Sequence, residues 1–220
     1  LHRALPQVAF FSMYGLTECT RVCYLDPAKV LHKPGSVGQP MQNCAIYLVD
    51  EQGGPVPPGV AGELVVRGAN VMRGYWNRPD LTARALRVAP AAVDEALFTG
   101  DIFLRDEDGD LHFVGRRDDV FKSGGTKVSP RELENVLYEL EAIAEAAVIG
   151  VQERGDLAIK AFVVAREGHA LTEMMVRRHC KERLEATLVP KYIELRATLP
   201  KTESGKITRA RLRQEQAVLA

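Results

Sequence analysis

Near residue 117 the sequence changes its periodicity. Before that point, short apolar runs are separated by clusters of Gly, Pro and Asp; after it, apolar residues recur at helical spacing between further apolar runs. Val8 to Met13 reads as a buried strand ending at Tyr14-Gly15. Lys33 to Pro40 is rich in Gly and Pro. Cys44 to Val49 and Glu63 to Arg67 then flank a turn containing Gly53, Gly54, Pro55, Pro57, Pro58 and Gly59. Leu97 to Leu104 and Leu111 to Val114 flank the acidic turn Asp106-Glu107-Asp108-Gly109-Asp110, where Gly109 makes a positive φ cheap. This half is expected to form a small β-rich, barrel-like unit.

The second half reads differently. Ser129 can cap a helix, Pro130 suits its first position, and Glu132 completes a capping box. Leu133, Val136, Leu137 and Leu140 then share one face. Apolar strands are expected at Ala146 to Val151 and Ala158 to Val164, a helix from about Thr172 to Leu188, a short strand at Tyr192 to Leu195, and a last helix from near Thr208. The fold class is therefore α+β, with one unit over 1–117 and a small α+β domain over 118–220, joined at the charged run Arg116-Arg117-Asp118-Asp119.

Composition narrows the function. The 29 Lys and Arg balance 29 Asp and Glu across 220 residues, so no basic field points to nucleic acid or an anionic membrane. No apolar stretch approaches the length of a membrane-spanning helix. Leu1-His2-Arg3 has neither an initiating Met nor a signal-peptide layout, so the chain is expected to be processed or part of something longer. Cys19, Cys23, Cys44 and Cys180 lack the density of a disulfide framework and the spacing of a zinc site. A reduced, cytoplasmic protein is the simpler expectation.

Four short motifs carry chemistry, each with a plainer alternative. In Lys201-Thr202-Glu203-Ser204-Gly205-Lys206 the glycine permits close backbone approach and Lys206 can neutralise charge on a phosphate oxygen; the alternative is a solvated lysine in a surface turn. It is not a P-loop, because the first Gly is missing and Ile207 replaces the Ser or Thr that holds magnesium. Asp101, after Thr99-Gly100 at an expected tight corner, can accept from both hydroxyls of a ribose, or simply be an Asp in a turn. In Tyr14-Gly15-Leu16-Thr17-Glu18, the Thr17 hydroxyl and Glu18 carboxylate suit phosphate and Mg2+; otherwise Thr17 caps a helix. Phe121 to Lys127, with Gly124 and Gly125, lets a narrow ligand pass near the backbone, or is a turn between strands.

The order of these segments, with Gly62 to Gly68, Gly74-Tyr75, Gly115 to Asp118, Glu132-Leu133-Glu134 and Leu199-Pro200-Lys201, resembles the adenylate-forming superfamily of acyl-CoA synthetases, luciferases and peptide-synthetase adenylation domains. The resemblance covers nearly the whole chain. It implies an acid–thiol ligase that uses ATP, Mg2+ and coenzyme A. Tyr14 would lie against the adenine, Gly15 would belong to the nucleotide-binding set, Thr17 would contact the ATP phosphates, Glu18 would bind Mg2+, and Asp101 with Arg116 would hold the ribose. Asp118 would be the hinge of a mobile C-terminal domain, Gly124 and Gly125 would line the CoA tunnel, and Lys206 would promote adenylation.

The segment Lys122-Ser123-Gly124-Gly125 and the tail through Lys206 look like acyl- or aryl-CoA ligases rather than peptide-synthetase domains, which usually carry an Asn-Gly-Lys version. The family's phosphate-binding loop and most of its acyl pocket have no counterpart here. They are expected in a missing N-terminal part of the same enzyme, and the chain alone is expected to be inactive. Two rivals remain: an adenylation domain that loads a carrier protein, and a truncated, non-catalytic nucleotide-binding module.

Overall fold

The computed structural model describes residues 4–88, 94–203 and 205–217. The chain divides into two compact units, Leu1–Arg117 and Asp118–Ala220.

The first unit contains strands β1 (Ser12–Leu16), β2 (Cys19–Leu25), β3 (Ser36–Pro40), β4 (Cys44–Val49) and β5 (Gly62–Gly68), helix α1 (Pro79–Ala85), and strands β6 (Leu86–Val88), β7 (Glu95–Arg105) and β8 (Leu111–Arg116). They form one eight-stranded sheet in the order β1-β2-β3-β8-β7-β5-β4, with β6 beside β7. The sheet is open, which corrects the barrel-like expectation. Closure needs a ladder between the two outermost strands. Among the described residues β1 pairs with β2, and β4 with β5. The middle of the sheet is thin: among the described residues β3 pairs with β2 at Cys23–Pro40 and Tyr24–Gln39, and just past β3 Met41 N donates to Val22 O at 2.9 Å.

Alternation along β5 buries both faces. Leu64 and Val66 join Cys19, Val22, Cys23, Leu97, Phe103 and Leu111 in the main core, while Val65 packs with Val49 and Ala96 on the other side. Two local readings are corrected. The strand expected at Val8 to Met13 runs from Ser12 to Leu16 instead, and Phe11 and Met13 are 52% and 54% exposed. Alternation puts Tyr14 and Leu16 against the core, and therefore Met13 outside it. Thr17 caps no helix, because Thr17-Glu18 is the turn of the β1–β2 hairpin.

The second unit contains β9 (Phe121–Ser123), β10 (Thr126–Val128), α2 (Pro130–Tyr138), β11 (Ile143–Glu153), β12 (Asp156–Ala165), α3 (Glu173–Arg183), β13 (Tyr192–Arg196) and α4 (Arg209–Ala217). β11 and β12 are antiparallel, joined through Arg154 and Gly155, both at positive φ as a two-residue hairpin requires. β13 adds parallel to β12. Val148, Ile159 and Val163 pack under α2 and α3 through Leu133, Leu137, Val176 and Cys180; the opposite face, with Ala147, Ile149 and Phe162, packs on Leu199 and Leu212 of α4. The helix from Thr172 is shorter than expected, ending at Arg183 before a 3-10 turn at Ala186–Leu188. Ser129 stands at the N-cap of α2, but its side chain makes no capping bond.

Candidate functional site

Asp101 organises the first unit's polar cluster. The sequence suggests a corner at Thr99-Gly100-Asp101, but these residues lie inside β7. The departure is a bulge: between Phe98 and Ile102, β7 has three residues where β5 has one, between Val65 and Glu63. Gly100 takes φ +71°, which a residue with a Cβ adopts only at a cost. The bulge re-aims Asp101, whose position is 4% exposed.

Both carboxylate oxygens of Asp101 are engaged. Tyr14 Oη donates to Oδ2 at 2.5 Å, and Arg116 Nη1 donates to Oδ1 at 2.8 Å. Arg116 is the register partner of Asp101 across β7 and β8. The Tyr14 ring meets Phe103 edge-on at 4.7 Å between centroids. Burial, then the bond to Asp101, push the Tyr14 phenol far above its usual range, so it remains a donor. The backbone around Asp101 is also fixed. Thr99 Oγ1 donates to Leu64 O and accepts from Asp101 N, while Glu63 accepts from Gly100 N at 3.0 Å and Arg117 Nη1 at 2.7 Å.

Glu18 has a partner that sequence reading did not assign a role. Tyr75 Oη donates to Glu18 Oε1 at 2.6 Å. The hydrogen bond to Glu18, then burial, push the Tyr75 phenol up to about 12. Main-chain contacts fix this segment beside the turn: Met72 N donates to Glu18 O, and Cys19 bridges to Val71. At the start of α1, Thr82 Oγ1 accepts from Tyr75 N at 2.9 Å. The motif Gly74-Tyr75 was the available sequence signal, since Gly74 at φ +146° leaves no room for a Cβ against Thr82. The Arg116 charge acts on both Tyr14 and Tyr75, which relates the Asp101 and Glu18 groups. Thr17 is exposed at the turn, and Gly15 is packed so closely that a Cβ would lie 2.7 Å from Arg21 N.

The remaining candidates belong to the second unit. Asp118 is exposed at its first residue. Gly124 and Gly125 form the tip of the β9–β10 hairpin at φ +57° and +81°, with open space where each Cβ would stand. Gly124 N donates to Asp156 Oδ2, and a cavity of about 300 Å3 beside it is lined by Ser123, Gly124, Asp156, Thr187 and Lys191.

Lys206 is exposed on a loop closed by a bridge between Lys201 and Ile207. Thr202 N donates to Lys206 O at 2.8 Å, Lys206 N donates to Thr202 Oγ1 at 3.2 Å, and Gly205 takes φ +80°. Ser204 of this motif lies outside the described residues.

Among the described residues no group of three or more His, Cys, Asp or Glu could hold a metal ion, and no helix is long and apolar enough to cross a membrane. A single carboxylate such as Glu18 nevertheless fits Mg2+, which is usually bound by one or two carboxylates with water and substrate phosphates.

Comparison with known proteins agrees over both units. Residues 1–76 match the AMP-binding enzyme family, and residues 132–206 match the AMP-binding enzyme C-terminal domain. The long-chain-fatty-acid–CoA ligase of Salmonella typhimurium is 40% identical over 203 residues, 92% of this chain and 35% of that protein. A feruloyl-CoA synthase from an Amycolatopsis species is 40% identical over 208 residues, 94% of this chain and 41% of that protein.

Among solved structures, O-succinylbenzoate coenzyme A synthetase from Bacillus subtilis, in complex with AMP, superposes with a TM-score of 0.82 at 32% identity, covering 92% of this chain and 40% of that one. ATP-bound MatB from Rhodopseudomonas palustris gives 0.85 at 30% identity, covering 94% and 41%. The chain thus spans 35% to 41% of the length of these curated relatives. With both family matches in chain order and the same fold at this identity, the chain belongs to the adenylate-forming, AMP-binding superfamily and is of the acyl-CoA-ligase type, spanning part of its full-length members.

Proposed function

We propose that this chain is part of an AMP-forming acid–CoA ligase. A carboxylate attacks the α-phosphate of ATP, giving an acyl adenylate and pyrophosphate; the CoA thiol then takes the acyl group and releases AMP. The observation that carries this reading is the Tyr14–Asp101–Arg116 constellation in a chain of this family. Residues 1–117 then correspond to the C-terminal part of the large adenylation domain, and 118–220 to a small mobile domain hinged at Asp118.

Each side chain has work suited to its chemistry. A carboxylate offers about four lone-pair sites, so Asp101 can keep Tyr14 and Arg116 and still accept from ribose hydroxyls. Tyr14, protonated, presents its ring near the adenine beside Gly15. Thr17 offers its hydroxyl to the phosphates. Glu18, oriented by Tyr75, is the residue that would hold Mg2+, which supplies charge neutralisation on the phosphates when bound.

Lys206 brings its ammonium to the carboxylate and α-phosphate oxygens, where negative charge collects. Gly124 and Gly125, lacking side chains, leave room for the pantetheine arm of CoA. Rotation about Asp118 would present Lys206 for the first half-reaction and the glycine hairpin for the second. The names of the relatives support an organic acid with an aliphatic chain or an aromatic ring as the substrate class. The four free cysteines suit a reducing compartment, and a cytoplasmic enzyme is part of the proposal.

The test is a pair of half-reactions in the protein that carries these residues. Lys206→Ala is expected to lower carboxylate-dependent ATP–pyrophosphate exchange on the order of a hundredfold or more, while thioester formation from preformed acyl adenylate stays within a few fold. Equal loss in both steps would overturn the two-conformation mechanism. Absence of exchange in the unsubstituted protein across aliphatic and aromatic acids would overturn the ligase assignment.

A further inference from the structure

Arg209 engages all three of its side-chain nitrogens. Nε and Nη2 form a fork on Glu134, at 3.1 Å to Oε1 and 2.5 Å to Oε2, and Nη1 donates to Asp119 Oδ2 at 3.0 Å. Glu134 is buried in α2, and its Oε1 also accepts from Val148 N of β11 at 2.8 Å. The other oxygen of Asp119 accepts from Arg213 Nη2 at 2.8 Å. One guanidinium therefore ties together α2, the start of α4 and the residue next to the unit boundary at Asp118; through Glu134 the tie reaches β11.

The same arginine stands three positions after Lys206. Between them the chain has little freedom: Ile207 bridges back to Lys201, and Thr208 N donates to Pro200 O at 2.8 Å. On the other side of the loop, Lys201 Nζ donates to Glu145 Oε1 of β11 at 2.6 Å. The loop that presents Lys206 is thus held from β11 through Lys201 and from α2 and Asp119 through Arg209.

We infer that Arg209 is a positioning residue, which fixes the Lys206 loop relative to Asp119 so that the loop moves with the joint as one rigid piece. The inference rests on the ligase reading given above. Its physical basis is the two-sided use of the guanidinium. A bidentate fork on a buried carboxylate sets the plane of the group, and the planar group then fixes where its third nitrogen points. A purely structural ion pair would be complete with Glu134. The bond to Asp119 adds no core burial, but it removes slack between the boundary residue and α4. Because a small misplacement of a catalytic group is costly, slack at this joint would reduce the rate of adenylation before it reduced substrate binding.

The experiment uses the protein that carries these residues. Asp119→Asn leaves the Arg209–Glu134 fork in place and weakens the ties of Arg209 and Arg213 to Asp119, so Arg213→Gln, which keeps the Arg209 tie, serves as the control and should fall short of its effect. Asp119→Asn is expected to lower kcat for adenylation on the order of tenfold, with KM for ATP and carboxylate within about twofold, and to spare thioester formation from preformed adenylate. Arg209→Lys should recover part of the activity lost in Arg209→Gln. Adding Asp119→Asn to Lys206→Ala should cause no further loss of adenylation.

Wild-type rates in Asp119→Asn would overturn the inference. So would a loss that follows the thermal midpoint and adds in full to that of Lys206→Ala. If the unsubstituted protein makes no acyl adenylate, the ligase reading fails, and the coupling is read by hydrogen exchange instead. Amides of Thr202, Gly205 and Lys206 should then exchange faster in Asp119→Asn than in the unsubstituted protein, and unchanged exchange would overturn the tie itself.

Discussion

Tyr14 and Asp101, separated by 87 positions in the sequence, meet through a 2.5 Å hydrogen bond in which the phenol donates to a buried carboxylate. The bond links β1 at the edge of the sheet to the bulge of β7, while Arg116 holds the other carboxylate oxygen. Replacing Tyr14 by Phe keeps the ring beside Phe103 and removes only the donor. Tyr14→Phe should therefore cost about 1–3 kcal/mol of stability in the first unit, read by urea denaturation. An unchanged midpoint would mean that Arg116 alone satisfies Asp101.

Tyr75 donates to Glu18, the residue proposed to hold Mg2+. Groups that orient a metal-holding carboxylate commonly influence affinity on the order of tenfold. Tyr75→Phe should raise the Mg2+ concentration needed for half-maximal adenylation by about that factor, with kcat at saturating Mg2+ little altered. A pure kcat effect at unchanged Mg2+ dependence would instead place Tyr75 at the substrate.

The acidic turn after β7 gives a pH prediction. Burial by itself would raise the carboxyl of Asp106, but hydrogen bonds from His112, Lys33 and the Asp110 backbone hold it well below the usual carboxylate range. The folded chain thus releases this proton more readily than the unfolded chain. Stabilisation is complete above the ordinary Asp pKa of about 3.9 and is lost as the pH falls through the lower folded value. Asp106→Asn should flatten part of the acid limb when stability is followed by denaturation from about pH 7 to about pH 3. An acid limb identical to that of the unsubstituted protein would remove Asp106 from the account.

Two glycines at positive φ should respond differently to alanine. At Gly38, φ is +75° and a Cβ would lie 1.9 Å from Tyr24 O, so the backbones of β2 and β3 must separate. Gly38→Ala should cost about 2–5 kcal/mol, combining left-handed strain with overpacking. At Gly125, φ is +81° with open space around, so Gly125→Ala should cost only about 1 kcal/mol while slowing the thioester step more than adenylation. Equal effects on both half-reactions would count against Gly125 lining the CoA passage.

Local pattern explains why so many elements could be read directly. The β4–β5 and β7–β8 hairpins follow from apolar runs around Gly- and Asp-rich turns, and Gly109 adopts the positive φ that its turn needs. The helices after Pro130 and near Thr208 appear as α2 and α4 for the same reason. Sheet closure was not legible, because it depends on whether β1 finds a partner in β4, and nothing in either strand's own alternation encodes that meeting. The bulge at Gly100 was hidden similarly, since a Gly within an apolar run reads as a corner until its partner strand is known.

The sequence by itself determined the hairpins, the helix starts and the ordered motifs that carry the family resemblance, because each arises from neighbours a few residues apart. Only the tertiary structure decided that Tyr14 binds Asp101, that Tyr75 binds Glu18 across 57 positions, and that Arg209 joins Glu134 and Asp119 across 75 and 90. These polar pairings have no period and no fixed spacing. They exist because packing the core withdraws the carboxylates of Asp101 and Glu134 from water, and a buried charge is tolerated only where the fold supplies its partner.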